Sequence, residues 1–183
     1  MIEVIAGTNR PGSNTRKLAE LILGLYKEQG AEAQLLSLEE MPQEIFDSKS
    51  YAEKPASFAP LSDRILASTG LHVVVPEYNG SFPGVMKYFI DMLKFPESFE
   101  HRCVAFTGQA AGIWGAFRSV EQLQMIFGYR NAFVFPERVW IPKINEQWDN
   151  PGVSFKDESM LPRLKKQVGG FLEFVAHNTG SSD

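Results

Sequence analysis

Apolar residues fall along this chain in two alternating rhythms. Runs at residues 2–6, 71–75 and 103–107, apolar apart from Glu3, His72 and Thr107, are short, are bounded by glycine or proline, and read as strands buried on both faces. Between them the apolar positions take helical spacing. Leu18, Leu21, Ile22 and Leu25 mark a helix over residues 15–29, which Gly30 closes. Leu35, Leu36 and Leu38 place a second strand within residues 32–38. After Pro83, a tolerated first-turn residue, Val85, Met86, Phe89, Ile90 and Leu93 form one broad helical face. A helix over residues 116–127 leads to a fifth strand at 131–135, which residues 139–141 extend or follow. Beyond a loop at 148–154, Leu161, Leu164, Val168, Phe171, Leu172 and Val175 define a last helix. Residues 39–60 are the least regular. Pro42, Pro55 and Pro60 punctuate them, while Met41, Phe46, Tyr51 and Phe58 tether them. They read as a long surface excursion ahead of a helix at 61–68, and a loop of that length lines a site or an interface.

Strand and helix in repeated alternation predict an α/β protein, a parallel sheet with helices on both faces and right-handed crossovers. Residues 1–183 read as a single domain. Ligands of such sheets bind at the carboxyl ends of the strands, at a topological switch point. The loops after strands one, three and four converge there, and these loops have unusual composition.

Composition narrows the functions. A formal net charge of −4 argues against a nucleic-acid surface. No apolar run reaches the roughly 18 residues of a membrane span, and residues 1–6 read as a strand rather than a signal peptide. The single cysteine, Cys103, excludes an internal disulfide scaffold and fits a reducing cytoplasm. His72, His101 and His177 match no metal-ligand spacing, so no metal is expected. His72 and Cys103 read as core residues.

The first loop, Gly7-Thr8-Asn9-Arg10-Pro11-Gly12-Ser13-Asn14-Thr15, sits between a strand and a helix N-terminus. Ser13-Asn14 stand where a Walker A loop needs Lys-Ser/Thr, and Asn9 stands where a dinucleotide fingerprint needs its second glycine. What remains is a loop that binds phosphate without attacking it. Thr8, Ser13 and Thr15 bring hydroxyls, Asn14 an amide, Arg10 a forked cation, and the helix its N-terminal field. Capping of the helix by the same side chains is the simpler alternative.

The second loop, Pro76-Glu77-Tyr78-Asn79-Gly80, joins a rigid strand exit to an Asn-Gly turn whose backbone can approach a flat heterocycle, with Tyr78 or Phe82 beside it. The third, Thr107-Gly108-Gln109-Ala110-Ala111-Gly112, is a run of small residues against which a ring can lie. Trp114 borders the ring or a subunit contact. No Gly-x-Ser-x-Gly elbow is present, and no side chain is expected to act as a catalytic acid, base or nucleophile.

Gly7-Thr8-Asn9-Arg10-Pro11-Gly12-Ser13 and Pro76-Glu77-Tyr78-Asn79-Gly80-Ser81-Phe82-Pro83-Gly84-Val85-Met86-Lys87, with Ile90-Asp91, resemble the NAD(P)H-dependent FMN reductase family, which includes azobenzene, quinone and chromate reductases. The resemblance covers residues 2–141, and the second motif is its more specific part. It implies a flavodoxin-like doubly wound sheet of five parallel strands in the order 2-1-3-4-5. It implies an FMN phosphate held by Thr8, Arg10, Ser13, Asn14 and Thr15, and an isoalloxazine bordered by Pro76, Glu77, Tyr78, Asn79 and Gly80. Thr107, Gly108 and Gln109 would lie near its pyrimidine side. The implied activity takes hydride from NAD(P)H and passes two electrons to a quinone, azo compound, metal oxyanion or free flavin. The implied assembly is a homodimer or homotetramer, with the helix after Pro83 and Trp114 as candidate contacts. A flavodoxin-like electron carrier and a flavin-dependent sensor without NAD(P)H activity stand as alternatives, and NADH and NADPH stand equally open.

Overall fold

The structure is a computed structural model and describes residues 1–180. Its strand β1 (Ile2–Ala6) is fully buried, as its apolar run predicts. Helix α1 (Asn14–Glu28) starts where the Ser13 hydroxyl accepts from Arg16 N, satisfying one orphan first-turn donor. Its buried stripe of Leu18, Leu21, Ile22 and Leu25 is the one the spacing predicts. Strand β2 (Ala33–Ser37) follows. The irregular stretch after it is four short 3-10 turns, whose Leu38, Ile45 and Phe58 plug into the core. Helix α2 (Ala59–Ala67) opens two residues earlier than expected, because Pro60 is accommodated in its first turn.

Strands β3 (Gly70–Pro76) and β4 (Cys103–Gln109), with helix α3 (Gly84–Met92) between them, form the centre of the sheet. The order is β2-β1-β3-β4-β5, all parallel, the flavodoxin-like arrangement. After helix α4 (Phe117–Tyr129), the fifth position is filled in two pieces rather than by one strand over residues 131–135. Strand β5 (Phe133–Val134) pairs with Cys103 and Val104, and strand β6 (Val139–Ile141) rejoins β4 at Thr107, Gly108 and Gln109. Pro136, which has no N–H to donate, lies in the gap. A four-residue helix α5 (Ile144–Gln147) and a hairpin of β7 (Trp148–Asn150) and β8 (Ser154–Phe155) precede helix α6 (Met160–Thr179).

Side-chain alternation along the strands divides the core. Val4, Val74 and Ala105 pack with α1 and α6, whereas Ile5, Val73, Val75 and Phe106 pack with α2, α3 and α4. Glu3 and His72 interrupt the apolar strands, and both are matched. Glu3 is fully buried and accepts a fork from Arg64, with Nη2 to Oε2 at 2.8 Å and Nε to Oε1 at 3.3 Å, and a further bond from Gln34. Burial raises the Glu3 pKa, opposed by the donors from Arg64 and Gln34.

His72 lies at the centre of a buried chain of hydrogen bonds. Gln167 Nε2 on α6 donates to the carbonyls of Phe106 and Glu137, which turns its Oε1 toward the Thr107 hydroxyl at 2.7 Å. Thr107 therefore donates to Gln167 and accepts from His72 Nε2 at 2.8 Å. His72 Nδ1 is left as the acceptor of the Tyr26 hydroxyl at 2.8 Å. Complete burial holds the imidazole neutral, with its pKa lowered to about 3. His72 is thus a satisfied core residue, as its place in the sequence suggests.

Candidate functional site

Parallel strands deliver their following loops to one edge, and three of these loops surround a cavity of about 570 Å³. The β1 loop supplies one wall through Arg10, Pro11, Gly12, Ser13, Asn14 and Thr15, with Lys17 from the first turns of α1. The β3 loop supplies Pro76, Glu77 and Tyr78. The end of β4 and its loop supply Gln109, Ala110 and Ala111, and α5 supplies Ile144 and Asn145.

The N-terminal end of α1 is built for an anion. Its first turn contains no acidic residue but does contain Arg16, with Lys17 next, where the helix dipole disfavours cations. Arg16 is paired with Glu20 at 3.0 Å and Glu39 at 3.5 Å, but neither Arg10 nor Lys17 makes an ion pair among the described residues. Ser13 Oγ accepts from Arg16 N, and Thr15 Oγ1 accepts from Gln109 Nε2 at 2.8 Å. Each hydroxyl is thereby oriented by a bond it receives, and its own proton stays available as a donor. The groups left over at this end are chiefly donors, two cations, two hydroxyls and first-turn amides, as a phosphate requires.

The expected residues divide into wall and support. Arg10, Ser13, Asn14, Thr15, Pro76, Glu77, Tyr78 and Gln109 line the cavity. Thr8 is buried behind it, bonded through Oγ1 to the Tyr78 hydroxyl at 3.0 Å and to Arg10 N at 3.3 Å. Asn79 and Gly80 form a tight turn at φ 54° and 76°, closed by Tyr78 N to Ser81 O at 2.8 Å. Gln122 on α4 holds that turn, accepting from Ser81 Oγ at 2.6 Å and donating to Gly80 O at 3.3 Å. Gly108 and Gln109 require correction: they are strand residues, not loop residues, because β6 gives β4 a partner through Gln109, and neither Gly108 nor Thr107, the end of the expected strand, is on the cavity wall. The Thr107 hydroxyl is consumed in the chain to His72 and Gln167. Gly108 is packed against α4, where a Cβ would lie 2.7 Å from Gly115 O.

Asn14 is also more committed than its place in the loop suggests. Its Nδ2 donates to Asn145 Oδ1 at 2.7 Å and its Oδ1 accepts from Trp148 Nε1 at 3.1 Å. Lys17, Ile144 and Asn145 escape a reading of sequence motifs. Lys17 stands two residues beyond the loop, where its charge is the only signal, and Asn145 arrives from a segment with no periodicity. Trp114 is 69% exposed and stands off the cavity wall.

The ring end offers complementary polarity. Glu77 lines this wall, and its Oε2 is buried with no hydrogen-bond partner among the described residues, an unsatisfied acceptor at the ring end. FMN fits both ends: its phosphate needs donors, and its isoalloxazine and ribityl chain bring N–H and O–H groups. The volume suits a cofactor of this size. Among the described residues no cluster of His, Cys, Asp and Glu could hold a metal, and no helix is long and apolar enough to cross a membrane.

Comparison with known proteins agrees with this geometry. Residues 1–146 match the sequence model of the family described as NADPH-dependent FMN reductase. The chain is 25% identical over 179 residues to a quinone reductase of Escherichia coli K12, covering 95% of this chain and 94% of that one. It is 27% identical over 114 residues to an FMN-dependent NADPH-azoreductase of Staphylococcus aureus USA300, covering 60% of each. The structure of FerB, a flavoenzyme NAD(P)H:(acceptor) oxidoreductase from Paracoccus denitrificans, superposes with a TM-score of 0.78 at 26% identity over 97% of both chains.

Proposed function

The chain belongs to the NADPH-dependent FMN reductase family, and from that premise we propose that its cavity holds FMN and that the protein passes two electrons from NAD(P)H to a quinone, azo compound, metal oxyanion or free flavin. The observation that carries this reading is the meeting of a donor-rich anion cradle with an acceptor-bearing slot in one 570 Å³ cavity at the carboxyl edge of the sheet. When bound, FMN supplies the hydride and electron chemistry itself.

The protein's part is to bind, orient and shield. Arg10 and Lys17 neutralise the phosphate, and the Ser13 and Thr15 hydroxyls with the first-turn amides of α1 fix its oxygens. Pro76, Glu77 and Tyr78 form one border of the ring slot, and Gln109, Ala110 and Ala111 the other. Thr8, Asn79 and Gly80 hold Tyr78 in place from behind. Ala110 and Ala111 leave the slot open beside them, which suits a flat reductant or acceptor. No side chain need exchange a proton for hydride to move.

One domain spanning residues 1–183 is the unit of this activity in our reading, working in a reducing cytoplasm as a homo-oligomer. Trp114, Phe117, Met125 and Tyr129 support the assembly: they are exposed apolar side chains on or beside the outer face of α4. The test is the absorption spectrum of the purified protein followed by stopped-flow mixing with NADH and NADPH. A flavin band that a nicotinamide bleaches rapidly is the expected result. Bound FMN that neither nicotinamide bleaches would convert the protein into an electron carrier or sensor.

A further inference from the structure

Building on the FMN reading above, we propose that residues 143–155 act as a strap that makes the cavity selective for a terminal phosphomonoester over a substituted diphosphate, FMN over FAD, with Asn145 and Trp148 as the specificity-determining residues. The strap is anchored to the β4 loop at its start. Lys143 N donates to Gly112 O and Ile144 N to Ala110 O, both at 2.9 Å, and the Ile144 side chain is buried. It then crosses to α1. Trp148, stacked on Phe155 with ring centroids 4.4 Å apart, donates to Asn14 Oδ1, while Asn14 Nδ2 donates to Asn145 Oδ1. The first residue of α1 is thus gripped by two side chains of the strap, next to the amides that face a phosphate.

The bonding inventory favours a terminal phosphate. Asn145 spends its Oδ1 on Asn14 and reaches the cavity wall with its Nδ2 donor left over. That donor adds to Arg10, Lys17, two hydroxyls and the first-turn amides, a set that a dianion with three terminal oxygens can satisfy. The flavin-side phosphoryl of FAD has one charge and two free oxygens, its remaining oxygen bridging to a second phosphoryl, so part of the donor set around that phosphorus is stranded, and stranded donors in a partly closed site cost binding. The arm to the second phosphoryl and its adenosine also leaves the phosphorus where the monoester has a terminal oxygen. In the proposal the Asn145–Asn14–Trp148 bridge obstructs that arm.

The experiment is calorimetric titration of the apoprotein with FMN, FAD and riboflavin, for the wild type and for Asn145→Ala and Trp148→Phe. The second substitution keeps a ring against Phe155 and removes only the N–H. We expect the wild type to prefer FMN over FAD by about tenfold or more, Asn145→Ala to narrow that ratio by about tenfold, the worth of one charge-assisted hydrogen bond, and Trp148→Phe by about fivefold, the worth of the neutral bond that holds Asn14. Riboflavin affinity should stay unchanged. A wild type that binds FAD as tightly as FMN overturns the proposal, as does an unchanged FMN/FAD ratio in folded variants. Should Asn145→Ala not fold, Trp148→Phe decides alone. A wild type that binds neither FMN nor riboflavin fails earlier, and takes the FMN reading down with the strap.

Discussion

The Tyr78 hydroxyl stands 3.0 Å from Thr8 Oγ1, a single bond between residues 70 positions apart that ties the anion loop after β1 to the ring loop after β3. Thr8 is buried and also receives Arg10 N, so the same oxygen sets the backbone beside the arginine. The two halves of the cavity are therefore mechanically one. Tyr78→Phe keeps the ring and cuts the tie. Thr8 retains its bond from Arg10 N, so no buried group is orphaned and the urea midpoint should barely move. FMN affinity should fall about fivefold, since one neutral hydrogen bond contributes about 1 kcal/mol. Fluorescence titration of Tyr78→Phe with FMN measures it, and an unchanged affinity would show that the loops hold their places without the tie.

Arg10→Ala separates phosphate recognition from ring recognition. Arg10 lines the cavity and makes no ion pair among the described residues, so the fold does not need its charge. The variant should bind FMN about tenfold more weakly and riboflavin as before, because only FMN carries the anion. Raising salt should weaken FMN binding to the wild type more than to the variant. Equal losses for both flavins would place Arg10 at the ring instead.

His72 gives the fold a pH dependence whose direction follows from its burial. Its pKa is about 3 when folded and near 6.5 when exposed. Below 6.5 the unfolded chain takes up a proton that the folded chain refuses, so this contribution to stability is complete above pH 6.5 and drains away as the pH falls toward 3. The slope is at most about 1.4 kcal/mol per pH unit. Urea melts of the wild type and His72→Gln between pH 7 and pH 4 should converge: the variant is the less stable at pH 7 and loses less on acidification. Parallel curves would mean that His72 is charged in the folded protein.

How much of this was legible from residue order depends on how local each cause is. The runs that became β1 and β3 are buried on both faces, so their own composition announces them. The anion loop is legible for the same reason: Arg10, Ser13 and Thr15 are neighbours in sequence as well as in space. Strand β4 looked complete at Thr107 because Gly108 reads as a stop. Its last two residues become strand only because Val139, Trp140 and Ile141 return beside them. The fifth strand broke around Pro136, and the elements from α5 to β8 are too short to carry a period. Asn145 joins the cavity wall through a bond to Asn14, 131 residues away, and no local pattern encodes that meeting.

Gly108 shows how a residue chosen for small size near a ligand can owe that size to something else. A Cβ there would lie 2.7 Å from Gly115 O, 3.0 Å from Ala116 Cβ and 3.1 Å from Val120 Cγ2, all on the segment that opens α4. The carbonyl belongs to backbone and cannot swing aside like a side-chain tip. Ala116 already sits at φ 67° and Gly115 at φ 60°, so the turn has little freedom to retreat. Gly108→Ala should therefore destabilise the protein by about 1–3 kcal/mol, the usual cost of overpacking. Its FMN affinity, measured well below the melting transition, should stay within about twofold of wild type, because Gly108 is not on the cavity wall. The opposite pattern, full stability with FMN binding lost, would move Gly108 out of the β4–α4 contact and back to the ring. A denaturation curve and a titration on one preparation decide between the two.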